Sequence, residues 1–170
     1  MPDLTADKII ELLNLKPLPL EGGFYRETYR SDDIINHAAL PERFPDNRSL
    51  STAIYYLLTP ETFSAMHRLP ADEMFHFYLG DPVTMLQLHP NGSSGVLALG
   101  RNLATGQSLQ ALVPHGAWQG ARLVEGGRYA LLGTTVAPGF EFDDYEAGHR
   151  EQLIRQYPDR SELITLLTKA

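Results

Sequence analysis

The sequence predicts an all-β protein, a sandwich or closed barrel with short helices at its two ends. Three observations carry this expectation. From residue 51 onward the chain breaks into segments of four to eight residues rich in β-branched, aromatic and other apolar side chains. Turn-forming clusters separate those segments at regular intervals. No strand–helix alternation of the kind that builds a parallel sheet interrupts them.

Taken in order, Ile9, Ile10, Leu12 and Leu13 place apolar groups on one face of a first helix. Asp3 or Thr5 is its cap, and Pro17 and Pro19 are its stop. Gly22-Gly23 reads as a turn opening a strand over 24–30. Residues 32–48, with Pro41 and Pro45, form a long loop with at most a helical turn. Strands are expected over 52–58, 63–68, 74–79, 84–89, 95–99, 108–113, 118–124 and 129–135. The turns between them are marked by Thr59-Pro60, Leu69-Pro70, Gly80-Asp81-Pro82, Pro90-Asn91-Gly92, the stretch 102–106 and Gly126-Gly127. Alternation sends one of Tyr55 and Tyr56 into the core. Asp143 and Asp144 diverge on an extended chain and suit capping or solvent exposure. Past Gly139 the chain becomes irregular, then helical, with Leu163, Ile164, Leu166 and Leu167 closing it. The 170 residues are read as one domain, with 1–20 as a lead-in, 21–140 as the barrel and 141–170 as a helical extension.

Composition removes several classes of function. A net charge of -7 without a Lys/Arg cluster lacks the electrostatic footprint of nucleic-acid binding and disfavours anionic membranes. No apolar run approaches the length that spans a bilayer, and the first five residues do not resemble a secretion signal. Without cysteine, thiolate chemistry and disulfides are excluded, and the cytoplasm is the expected compartment. Phosphate loops, dinucleotide fingerprints, serine-nucleophile turns and His-Glu-x-x-His helices are absent.

Two stretches carry chemistry: Ser64-Ala-Met-His67-Arg-Leu69-Pro-Ala-Asp-Glu73-Met-Phe-His76-Phe-Tyr-Leu-Gly80 and Val113-Pro114-His115-Gly116-Ala117-Trp118-Gln119. They resemble the paired motifs of the cupin superfamily. His67, Glu73 and Gly80 fall on the first motif, and Pro114 and Gly116 on the second. Leu69 stands where that family's second histidine belongs, and Gln119 where its third does. With the segments starting at Leu20 and Ala137, the chain is similar to the uncharacterised cupin type-5 family from about residue 15 to 158.

That resemblance implies a double-stranded β-helix, or jelly roll, usually paired as a homodimer. It also links the chain to folds built like the metal-free dTDP-sugar 3,5-epimerases. Their early Gly-x-Phe-x-Glu segment is similar to Gly23-Phe24-Tyr25-Arg26-Glu27, and their base is a histidine on the strand where His67 falls. Their lysine and acidic partner have no counterpart here.

A carboxylate inside such a barrel needs a partner. For Glu73 the candidates are His67, Arg26, Gln119, a cation or donors on a ligand. A small-molecule ligand is therefore expected, with His67 and Glu73 as the catalytic pair. Phe24, Arg26, His76, Trp118 and Gln119 are the candidate ligand contacts. Three functions remain open. One is a metal-independent isomerase, epimerase or lyase acting on a sugar-like or carbonyl compound. Another is a module that binds a nucleotide or metabolite without transforming it. The third is a metal enzyme with a reduced ligand set of His67 and Glu73, aided by His76 or Gln119. A divalent metal is the disfavoured expectation, because zinc and iron sites normally need a third protein ligand.

Overall fold

The computed structural model describes residues 4–169. Its first element is α1 (Ala6–Leu13), capped as expected by Thr5, whose hydroxyl accepts the Lys8 N–H at 3.2 Å. Asp3, the other capping candidate, lies outside the described residues. The helix ends earlier than its prolines suggest. Asn14 adopts the left-handed conformation (φ 50°) and sends its N–H back to the last turn. Pro17 instead belongs to a short strand.

Among the described residues, thirteen strands follow the helix. The first seven are β1 (Lys16–Pro17), β2 (Phe24–Arg30), β3 (Ile34–Ile35), β4 (Arg48–Ser49), β5 (Thr52–Leu58), β6 (Phe63–Arg68) and β7 (Asp72–Gly80). The rest are β8 (Val83–Leu88), β9 (Ser94–Leu99), β10 (Gln110–Val113), β11 (Trp118–Leu123), β12 (Ala130–Ala137) and β13 (Glu146–Ala147). The stretch read as a loop holds the β3–β4 pair and a single 3-10 turn at His37–Ala39.

Two antiparallel sheets make the jelly roll. One runs β1-β2-β5-β12-β7-β10 and the other β13-β6-β11-β8-β9. Their inner faces meet in one hydrocarbon core: Tyr56, Phe75, Phe77 and Leu132 from the first sheet pack with Val83, Met85, Leu99 and Ala121 from the second. Strand β7 shows the period-two rule that builds it. Glu73, Phe75 and Phe77 are buried, while Met74, His76 and Tyr78 between them are half-buried or exposed.

Helices cover parts of both outer faces. α1 and its flanking residues lie on the first sheet, where Ile9 and Leu15 join Leu57 and Leu131. The C-terminal helices α2 (Arg150–Gln156) and α3 (Ser161–Leu166) bring Leu153, Ile164 and the following Leu167 onto Met66, Leu86 and Leu88 of the second sheet. Strand β8 is thus buried on both faces, with Val83 and Met85 in the core and Leu86 and Leu88 under the helices. Among the described residues, no helix is long and apolar enough to cross a membrane.

Candidate functional site

The inward rows of the sandwich change character at one end. Along β7 the sequence of buried side chains is Phe77, Phe75, then Glu73; along β12 it is Ala130, Leu132, then Thr134; along β11 it is Leu123, Ala121, then Gln119. Hydrocarbon gives way to polar groups on all three strands towards the same end, with Thr134 in register with Phe75, one step inside Glu73. Burying a carboxylate there costs several kcal/mol unless it is hydrogen-bonded. The two sheets supply the bond between them: the Gln119 amide on β11 reaches across the sandwich and donates to Glu73 Oε2 at 2.6 Å. Gln119 is itself 1% exposed, and its Oε1 has no hydrogen-bond partner.

His67 enters the same space from β6, where it pairs in register with Gln119. Its Nδ1 lies 2.7 Å from the Ala65 carbonyl oxygen. A carbonyl only accepts, so Nδ1 carries a proton, and in the neutral form of the ring the lone pair lies on Nε2. Glu21 Oε2 is 3.9 Å from that Nε2, and the Tyr145 ring stacks on the imidazole at 5.0 Å and 20°.

Glu21 is held by the lead-in to β2. Ser64 Oγ donates to its Oε1 at 2.6 Å, Ala65 N–H donates to its main-chain oxygen at 2.9 Å, and the Tyr56 hydroxyl donates to Gly22 O at 2.9 Å. Gly22 has φ 109°, and a β-carbon there would overlap the Phe63 carbonyl oxygen. Only glycine lets the lead-in lie this close to β6.

Electrostatics follow from the placement. Burial and the neighbouring Glu21 charge raise the proton affinity of Glu73, opposed by His67 and by hydrogen bonds from Gln119 and Thr134. Burial, reinforced by Glu21, also holds the Tyr56 and Tyr145 hydroxyls firmly protonated.

Glu21, His67, Glu73, Thr134 and Tyr145 line a cavity of about 70 Å³. One wall is the strap 138–147, which follows β12 and contributes Phe140, Phe142 and Tyr145. Three arginine–carboxylate pairs pin the strap to the sheets: Arg30 to Glu141 at 2.6 Å, Arg48 to Asp144 at 2.7 Å, and Arg68 to Glu146 at 2.7 Å. Asp144 accordingly combines a capping bond to the Glu141 N–H with a buried ion pair, rather than facing solvent.

Of the residues singled out in the sequence, His67, Glu73 and Gln119 come together here, and Gln119 is the partner that satisfies Glu73. The other four lie elsewhere, and strand parity is the main reason. On β2, Tyr25 and Glu27 face the cavity, so Phe24 packs under α1 and Arg26 sits over the Tyr55 ring at 5.6 Å. Glu27 pairs with Arg30 rather than Arg26. His76 has the opposite parity to Glu73. On the outer face its Nε2 meets Thr135 Oγ1 at 3.1 Å, its Nδ1 meets Gln110 Nε2 at 3.0 Å, and its ring lies parallel to Tyr78. Trp118 is on the helix side of β11, with the Arg68 guanidinium 4.5 Å above its ring.

The cavity residues that sequence reasoning did not single out are Glu21, Tyr25, Glu27, Arg30, Phe140, Phe142 and Tyr145. Their signal was membership of the two segments, starting at Leu20 and Ala137, that flank the barrel motifs.

The donor set does not fit a cupin metal. Leu69, at the place of the second histidine, is an apolar part of the cavity wall, and the Gln119 amide presents an N–H to the Glu73 oxygen. Among the described residues, no group of three or more His, Cys, Asp or Glu side chains is arranged to hold an ion.

Comparison with known proteins agrees with the architecture. A family described as Cupin superfamily (DUF985) matches residues 7–148. The uncharacterized protein YML079W of Saccharomyces cerevisiae is 26% identical over 133 residues, which span 74% of this chain and 66% of that protein. The structure of protein SO0799 from Shewanella oneidensis superposes with a TM-score of 0.84 at 37% identity, covering 98% of this chain and 99% of that one. A hypothetical protein from Leishmania major gives 0.87 at 30% identity, covering 98% and 100%. Oxalate decarboxylase from Bacillus subtilis, at 14% identity and a TM-score of 0.53 over 91% of this chain and 37% of its own, shares the fold alone.

Proposed function

The chain belongs to the DUF985 family of the cupin superfamily, and from that premise we propose that it is a metal-independent isomerase or epimerase acting on a small carbonyl compound. His67 is the base. It takes a proton from the carbon next to the carbonyl onto Nε2, and the C–H electron pair moves into the carbonyl to give an enol. Glu73 supplies the proton that the carbonyl oxygen gains. His67 then returns its proton to carbon, on the opposite face once the enol has turned in the cavity or on the neighbouring carbon of an enediol. An enol O–H proton goes back to Glu73, so both side chains recover their starting states.

One observation carries this reading: the bond from Nδ1 to Ala65 O leaves the Nε2 lone pair on the cavity side, with Glu21 3.9 Å away to stabilise the imidazolium once it forms. The burial of Glu73 supports its part, since a carboxyl with raised proton affinity serves as an acid where an ordinary one does not.

Solvent-deuterium incorporation provides the test, because it detects proton abstraction whatever product forms. A panel of aldoses, ketoses and 2-keto acids is incubated in D2O and followed by NMR. At least one compound is expected to exchange a proton next to its carbonyl, and His67→Asn is expected to slow that exchange by about a hundredfold or more. Exchange at the wild-type rate in His67→Asn removes the histidine from the chemistry. The aromatic wall of Tyr25, Phe142 and Tyr145 also supports a second reading, a pocket that stacks and holds a ring without transforming it. A ligand that binds yet never exchanges favours that alternative.

A further inference from the structure

The cavity that serves this proposed chemistry is acidic. Its wall carries three acidic side chains, Glu21, Glu27 and Glu73, against one guanidinium, Arg30. That guanidinium is already engaged. Its Nε and Nη2 donate to Glu27 at 3.2 and 3.0 Å, its Nη1 donates to Glu141 at 2.6 Å, and Nη2 also donates to the Phe140 carbonyl at 3.0 Å. Arg30 therefore braces the rim and the strap. A phosphate or carboxylate entering the cavity would have to strip it from two carboxylates and then face Glu21.

The remaining wall is aromatic. Phe142 meets Tyr25 edge-on with centroids 6.5 Å apart, and Phe140 meets Phe142 edge-on at 5.3 Å. Tyr145 stands beyond them, stacked on His67. Aromatic rings with negative faces, gathered in one cavity with the Glu21 carboxylate, are the surroundings that select an ammonium group.

We infer that the ligand of this cavity is a small amine-bearing compound, its ammonium seated between the Glu21 carboxylate and the Tyr25–Phe142–Tyr145 wall. The inference rests on the reading of this cavity as the ligand site. Within that reading it narrows the substrate class to aminated sugars and other small carbonyl compounds with a positive charge, and it excludes sugar nucleotides.

A matched set of probes tests the charge directly. Thermal melting and calorimetry of the full chain are run with glucosamine, glucose and glucose 6-phosphate, and with tetramethylammonium, each up to about 100 mM, where even millimolar affinity moves the transition. Glucosamine is expected to raise the melting temperature more than glucose, and glucose 6-phosphate is expected to leave it in place. In Glu21→Gln, where the amide oxygen still accepts from Ser64, glucosamine affinity is expected to fall by about tenfold or more, as for loss of a charged hydrogen-bond partner. The inference is overturned if glucose binds as well as glucosamine, if glucose 6-phosphate binds more tightly, or if neither ammonium probe shifts the transition. These comparisons stand on the wild-type chain, whatever the stability of the variant. Deuterium exchange on a neutral carbonyl without ammonium binding sinks this inference alone; ammonium binding without any exchange leaves it intact and sinks the enzymatic reading.

Discussion

The two ends of the sandwich interior are built on the same strands and the same alternation, yet they obey different rules. At one end Phe75, Phe77, Leu132, Met85 and Val83 fill the space between the sheets with hydrocarbon. At the other, Glu73, Gln119, Thr134 and His67 occupy the same inward positions and leave a cavity. In the first region any apolar side chain of the right volume serves, and packing decides stability. In the second each group is tolerated only because a particular partner meets it: Gln119 for Glu73, Ala65 O for His67, Ser64 for Glu21. One end holds the fold together, and the other uses that rigidity to keep polar groups out of water.

The comparison breaks first at the hydrocarbon end. Phe75→Ala is expected to cost about 3–5 kcal/mol in urea denaturation, through lost burial and the void it leaves. A loss under about 1 kcal/mol would mean that this end is not the packed core.

At the polar end, Gln119→Leu keeps similar volume but strips Glu73 of its donor. It is expected to cost about 1–3 kcal/mol, the usual penalty for a buried group left unsatisfied, with the loss deepening as Glu73 ionises at higher pH. Equal stability of the variant across the pH range would show that the amide bond contributes nothing.

The smallest effect is the most specific. Because the proton affinity of Glu73 is raised in the folded chain above the ordinary carboxylate pKa of 4.5, its contribution to stability is full below that value and is lost as pH rises through the folded one. Glu73→Gln does not titrate. Its melting temperature is therefore expected to gain on the wild type as pH climbs through that window, then hold level. A difference that stays constant or shrinks over the window would place Glu73 in a watery or cation-paired setting.

Much of this was legible in the sequence because it is written locally. The strand at 24–30, those at 52–58 and 63–68, and the opposite facing of Glu73 and His76 all follow from period two. Gln119 stood among the candidate partners for Glu73 because a buried carboxylate must find a donor. The face of β2 was not legible: alternation says that Tyr25 and Glu27 share a side, but only the path of the chain out of Gly22-Gly23 decides which side is inward. Nor was the strap. Arg30 meets Glu141 across 111 positions and Arg48 meets Asp144 across 96, and no local pattern encodes pairings over such separations. Tyr145 reaches His67 only by way of them. Asp144, adjacent to another aspartate, reads as a solvated cap until its distant arginine is known.

Gly22 ties the proposed chemistry to the architecture in a way that composition alone conceals. The single hydrogen it bears as a side chain sets how near one strand's approach passes to another, and that spacing delivers the Glu21 acid to the imidazole. The approach of Glu21 to His67 is thus set by an inert position, so the proposed chemistry is as sensitive to an absent methyl as to any charge the cavity displays.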